Sequence, residues 1–297
     1  MALPDFDSPS LQYDMNHRHR GHCVIFNQEH FDENLTLCTR TNSSRDVDRM
    51  MTLFKDLGFI VRAHIDLRME EIRDVLEDLA FNTDHIDCDA LVIVFMSTGG
   101  NDILYAKDKK FDPNKLLECF HGDNCESLVG KPKIFFIQGD RGDTCETGVK
   151  LNEERILRTK QEAVTISSKR VGAESPWDGD PVGRRSSVQE QRLMLSSLAD
   201  FLVCWSTVDG YFSWRNATTG SWFIQALAHV LPRDCCRDDL LSMIASVARH
   251  MMNFSSNAPN SPTFHSKKQI PQCSSTLVKT LYLRPKPAYP EIEAAVE

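Results

Sequence analysis

The chain has 297 residues, 41% of them hydrophobic, with 42 acidic against 34 basic side chains and a net charge of −8. That length and apolar content support one large core or two small ones. The acidic balance argues against nucleic acid or an anionic membrane as the main partner.

Residues 1–22 hold no apolar stretch of signal-peptide type, and the longest apolar runs are strand-length, far below the ~20 residues of a membrane span. Ten cysteines at irregular spacing are therefore expected to be reduced thiols of a cytoplasmic protein. In that compartment the sequons beginning at Asn34, Asn42, Asn216 and Asn253 carry no glycan.

In chain order, residues 1–16 are expected to form a short disordered lead. Cys23-Val24-Ile25-Phe26 begins a first buried strand. Residues 46–57 place Val47, Met50, Met51, Phe54 and Leu57 at helical spacing. A second strand is predicted over 59–64, then a helix over 69–81 with Ile72, Val75, Leu76 and Leu79 on one face. Buried strands follow at 90–96 and 133–137, with a short helix over 114–120 between them. This alternation, with near-continuous apolar strands, predicts an α/β fold whose central, mostly parallel sheet is flanked by helices on both faces. From 149 to 192 charged residues mix with Ser, Gly and Pro without a period, which reads as a mobile linker. A strand at 200–205, helices at 221–231 and 238–252 and a final strand at 276–283 complete the pattern. The chain thus divides into a lead (1–16), a first region (17–148), a linker (149–192), a second region (193–284) and a tail (285–297).

In open α/β sheets the functional groups gather beyond the carboxyl ends of strands. Thr98, in Ser97-Thr98-Gly99-Gly100, and Asp140, in Gln138-Gly139-Asp140-Arg141-Gly142, both hold such positions. By themselves they read equally as two ordinary polar turns. Other segments discriminate: Phe120-His121-Gly122-Asp123, Tyr211-Phe212-Ser213-Trp214-Arg215-Asn216, Gly220-Ser221-Trp222-Phe223-Ile224-Gln225, and the stretch from Phe264 through Pro271. Taken together and in this order, they resemble the caspase family, over roughly residues 20–145 and 198–284. The short lead gives the resemblance an effector-like layout, with 17–148 similar to a large subunit and 193–284 to a small one.

The resemblance implies site roles residue by residue. A caspase carries Gln-Ala-Cys-Arg-Gly where this chain has Gln138 to Gly142, and Ser-His-Gly where it has Ser97 to Gly99. The nucleophile's slot is Asp140 and the general base's slot is Thr98. A carboxylate cannot stand in for an attacking thiolate, and a threonine cannot shuttle a proton near neutral pH. The expectation is a catalytically inactive homologue, not an enzyme. Gly99, with the backbone N–H of Asp140, matches the oxyanion hole. Gln138 and Arg215 match two members of the pocket that receives a substrate aspartate, whose planar donors suit a carboxylate. Arg40 is the candidate for the third, with Arg45 as fallback, and both also read as solvated loop arginines. Trp214 and Trp222 match groove-lining aromatics, or else simply pack in the core.

Other candidates have weaker claims. Cys145 is the nearest thiol after Asp140, but His121 and His229 fall in helix-like segments with no evident route to it. His17, His19, His22 and Cys23 have no standard zinc spacing, so no metal and no cofactor are expected. Arg141-Gly142-Asp143 spells an integrin tripeptide that the caspase motif already explains. In the linker, Asp178 is the candidate cleavage site for an active partner, the alternative being an uncut tether.

Three functions remain. The first is a regulator in apoptosis that pairs with an active caspase paralogue, as a homo- or heterodimer through 276–283, with activation favoured over inhibition. The second is a decoy that holds Asp-containing substrates or inhibitors. The third is residual proteolysis through Cys145. Asp140 is further expected to pair with Arg215 or Arg40 as a built-in ligand of the pocket.

Overall fold

The computed structural model describes residues 11–149 and 196–286. The described residues up to Glu146 and from Ser196 belong to one compact unit. The expected linker beyond Val149, with Asp178, and the tail beyond residue 286 lie outside the described residues.

The elements follow in chain order as β1 (His22–Asn27), α1 (Ser44–Asp56), β2 (Ile60–Ile65), α2 (Met69–Glu77), β3 (Leu91–Met96), β4 (Gly99–Gly100), β5 (Ile103–Tyr105) and β6 (Lys110–Phe111). They continue as β7 (Lys133–Gln138), β8 (Phe201–Trp205), β9 (Arg215–Asn216), β10 (Gly220–Ser221), α3 (Trp222–Asp234), α4 (Leu240–Met251) and β11 (Gln272–Ser275). Six strands form the central sheet in the order β11-β8-β7-β3-β1-β2. All its pairs are parallel except β8–β11.

The apolar strands are buried on both faces because successive side chains point to opposite sides. In β3, Val92, Val94 and Met96 enter one core with α1, α3 and α4, while Leu91, Ile93 and Phe95 enter a second core with α2 and β5. The helical period works in the same way: Val47, Met50, Leu53 and Phe54 form the buried stripe of α1. The amino end of α4 is fixed by Asp239, whose carboxylate accepts from the backbone N–H groups of Leu241 and Ser242.

The structure corrects the sequence reading at several places. Residues 11–16 are not a disordered lead: Tyr13 is buried, its N–H donates to the Thr280 carbonyl and its hydroxyl to Asp200 at 2.6 Å. A lone aromatic in a polar segment has no periodicity to announce it. The expected helix over 69–81 is α-helical only to Glu77 and finishes as a π turn at Asp78–Asn82. The helix expected over 114–120 is two short 3-10 turns, begun by Asp112 accepting from the Asn114 N–H.

The edge strand is β11, antiparallel to β8, and not residues 276–283. Within that segment Val278 is exposed, and only Leu281 and Leu283 are buried, in the first core. Cys204 and Cys273, expected as thiols, face each other in the β8–β11 register with Cα atoms 4.3 Å apart and are joined as a disulfide. Sequence spacing could not bring them together, because only the strand pairing does. Among the described residues no helix is long and apolar enough to cross a membrane.

Candidate functional site

Parallel strands β1, β3, β7 and β8 end together at Asn27, Met96, Gln138 and Trp205, so the loops beyond them converge at one end of the sheet. Thr98 and Asp140 lie in two of these loops, beyond β3 and β7. Gly99 fits between them because its Cα faces the Asp140 backbone: an added Cβ would stand 2.3 Å from the Asp140 carbonyl oxygen. The neighbouring β4–β5 hairpin is tied to the sheet end by Ser97, whose hydroxyl donates to the Tyr105 carbonyl at 2.6 Å.

The Asp140 carboxylate does not pair directly with either arginine. Its Oδ1 accepts from the Ser213 N–H at 2.8 Å and from the Ser213 hydroxyl at 2.7 Å. Gln138 Nε2 donates to the same Ser213 oxygen at 3.0 Å. The arginines are committed elsewhere. Arg40 Nη1 donates to the Asn27 side chain and to the carbonyls of Gln28 and Met96, bridging the ends of β1 and β3. Arg215 Nη1 donates to the Thr41 carbonyl at 2.6 Å. The expected built-in ion pair is thus corrected to a charge-assisted contact with Ser213, since a backbone N–H and a hydroxyl on the facing loop already satisfy the carboxylate.

Burial pushes the Asp140 carboxyl above its usual range, partly opposed by the Ser213 hydrogen bonds and then by the nearby charges of Arg40 and Arg215. Burial likewise brings the Arg40 guanidinium down to about 10, helped by Arg215 and opposed by Asp46, Asp140 and Glu29. Asp46 anchors the wall of the site. Buried at the start of α1, it accepts from the Ser221 N–H and from the Ser221 hydroxyl at 2.7 Å. Gly220 permits that approach, because its φ is +88° and a Cβ there would lie 2.2 Å from Asp46 Oδ1.

Trp222 is core, only 9% exposed, and Trp214 stacks on it with ring centroids 5.8 Å apart. The Trp214 backbone is held by Gln269, which accepts from its N–H at 2.6 Å. Arg45 lies in the first turn of α1 and Arg40 is the buried arginine of the pair, 6% exposed. Cys145 is half-buried between the bridges Thr144–Tyr211 and Glu146–Lys268. His229 stacks on His250 and His121 packs edge-on against Phe201, so both imidazoles are engaged elsewhere.

Sequence reasoning missed Ser213 and Gln28. Ser213 was quoted only as part of a resembling segment, and its role needs the loop fold. Gln28 follows β1, is fully buried, and its amide has neither nitrogen nor oxygen partnered; Gln138 Oε1 is likewise without a partner.

Comparison with known proteins identifies the frame. The family model described as caspase domain matches residues 20–282. The chain is 37% identical over 290 residues to caspase-1 of Spodoptera frugiperda, covering 97% of this chain and 87% of that one. It is 36% identical over 281 residues to caspase-6 of Mus musculus, covering 94% of each. The crystal structure of caspase-1 from Spodoptera frugiperda superposes with a TM-score of 0.78 at 35% identity, covering 97% of this chain and 98% of that one.

These relatives overturn the expectation that the chain is not an enzyme. That expectation rested on two residue identities, Thr98 and Asp140, which are no measurement of turnover. Chains 33% to 37% identical over most of its length are named as caspases, a family of cysteine endopeptidases.

Proposed function

The chain belongs to the caspase family, and from that premise we propose that it regulates another caspase in apoptosis by pairing with it in the cytoplasm, raising its partner's activity. One observation carries the reading. Arg141, directly after Asp140, donates to the Gln272 side chain at 2.6 Å and lies over the Trp205 ring at 4.7 Å. The loop of the candidate site is thereby tied to β11, the exposed edge strand whose outer backbone groups are open to a second chain. Pairing at that edge is transmitted to the site through Arg141. The division into large-subunit-like (17–148) and small-subunit-like (193–284) regions belongs to the same proposal.

The test is co-expression with a caspase of the same source, followed by sedimentation and by peptide turnover of the partner with and without this chain. A complex and a several-fold rise in turnover are expected, both lost in Ser274→Lys, which places a charge on the edge. A partner whose association state and turnover are the same with or without the chain would refute the proposal.

A second reading, retention of Asp-containing peptides, is favoured by the charges of Arg40 and Arg215, which lie near one another and near Asp140. An Asp-terminated peptide aldehyde then binds with a dissociation constant on the order of micromolar, and absence of binding at millimolar peptide removes this reading. Proteolysis by the chain itself is a separate property. It is read from turnover of Asp-containing peptides by the purified protein, compared with Cys145→Ala to test that thiol.

A further inference from the structure

A cluster at the opposite end of the sheet has no part in the site above. His22 opens β1, and His85 and Cys88 lie in the loop that leads into β3. One ligand-capable atom from each lies within 4.8 Å of the other two. His85 is fully buried and Cys88 is 4% exposed. We propose that His22, His85 and Cys88 form a zinc site, with two imidazole nitrogens and one thiolate as protein ligands.

The independent sign is the state of the His85 ring. Its Nε2 lies 2.8 Å from the Leu79 carbonyl, to which only an N–H can donate. The proton is therefore on Nε2, and Nδ1 is a bare lone pair, buried and without any partner. Metal-bound histidines are held in this way, one ring nitrogen donating to a carbonyl and the other facing the ion. The loop is also pre-formed. Lys131 Nζ donates to the carbonyls of His85, Ile86 and Cys88, and the Cys88 N–H donates to the His85 carbonyl at 2.9 Å.

The donor set selects the ion. Two imidazoles and a thiolate suit zinc, with its fourth position left to water. Donor atoms around tetrahedral zinc stand roughly 3.5 Å apart, so small side-chain rotations close the triangle. On binding, Cys88 gives its proton to solvent and the sulfur lone pair goes to the metal. Neutral imidazole is the ligating form. The local charge is mixed, with Lys131 beside Asp84, Asp87 and Asp89.

The linear sequence hid this site. His22 belongs to a histidine group without metal spacing, and its neighbour Cys23 points into the opposite core.

The experiment uses the full chain, stripped with chelator and then titrated with zinc against a chromophoric competitor, and separately with cobalt. One equivalent of zinc is expected to bind and to raise the melting temperature, with one proton released. Cobalt should give a thiolate charge-transfer band and a tetrahedral visible spectrum. Cys88→Ser should abolish that band, and both Cys88→Ser and His85→Gln should weaken zinc at least tenfold, while Cys38→Ser and Cys145→Ser change neither. Melting curves in chelator show whether each variant folds, and His22→Gln serves if His85→Gln does not. A wild-type cobalt form without a thiolate band, or zinc affinity unchanged in folded Cys88→Ser, would overturn the site.

Discussion

Replacing Asp140 by alanine removes the acceptor of two short hydrogen bonds from Ser213, at 2.8 and 2.7 Å. The Ser213 N–H and hydroxyl proton are then left without their partner in a half-buried loop. An orphaned buried donor costs about 1–3 kcal/mol, and a hydrogen bond to a charged group contributes about 1.5–3 kcal/mol. Against this stands relief of the carboxylate's own desolvation, visible in its raised pKa. We therefore expect Asp140→Ala to lower stability by about 2 kcal/mol. Asp140→Asn keeps an acceptor oxygen and stays within about 1 kcal/mol of wild type.

The two variants also differ in their response to pH. The folded protein holds the Asp140 carboxyl above its unfolded value of 3.8, so the neutral form is favoured by folding. Its stabilisation is complete below the unfolded value and is lost as pH rises through the raised folded value. Asparagine, always neutral, avoids that loss, so Asp140→Asn compares more favourably with wild type at pH 7.5 than at pH 4.5. Urea unfolding followed by tryptophan fluorescence at the two pH values measures both effects, since the stacked Trp214 and Trp222 lie beside the Ser213 loop. An alanine variant as stable as wild type, or an asparagine variant that compares worse at the higher pH, would refute the reasoning.

Tyr13→Phe removes the hydroxyl that donates to Asp200 and accepts from the Val278 N–H, and should cost about 2 kcal/mol by calorimetry or denaturant titration; an unchanged midpoint would show that residues 11–16 do not secure the sheet edge. Burial depresses His22 from 6.5 to about 4, so its contribution to stability is full above pH 6.5 and is lost as pH falls toward 4. Its greatest slope is about 1.4 kcal/mol per pH unit, and in chelator His22→Gln should flatten the wild-type pH profile across that window, whereas an unaltered slope would exclude this role. Thiol titration of the denatured, unreduced protein should find the eight free cysteines, rising to ten after reduction of Cys204–Cys273; ten without reductant would exclude the disulfide.

The amino-acid sequence by itself determined the layered α/β architecture, because short near-continuous apolar runs such as Leu91–Met96, alternating with helical stripes such as Val47, Met50 and Phe54, fit strands buried on both faces and helices packed on them. It also singled out Gln138 and Asp140, which the fold brings to one side chain, Ser213. The tertiary structure alone decided what those residues do. Asp140 rests on Ser213 and not on an arginine, the sheet edge is Gln272–Ser275, and Tyr13 is locked to Asp200. His22, His85 and Cys88 likewise meet only in three dimensions. Periodicity reports how each residue faces its own element, whereas hydrogen bonds, disulfides and ligand clusters depend on which distant elements the fold brings together, and no local pattern encodes that distance.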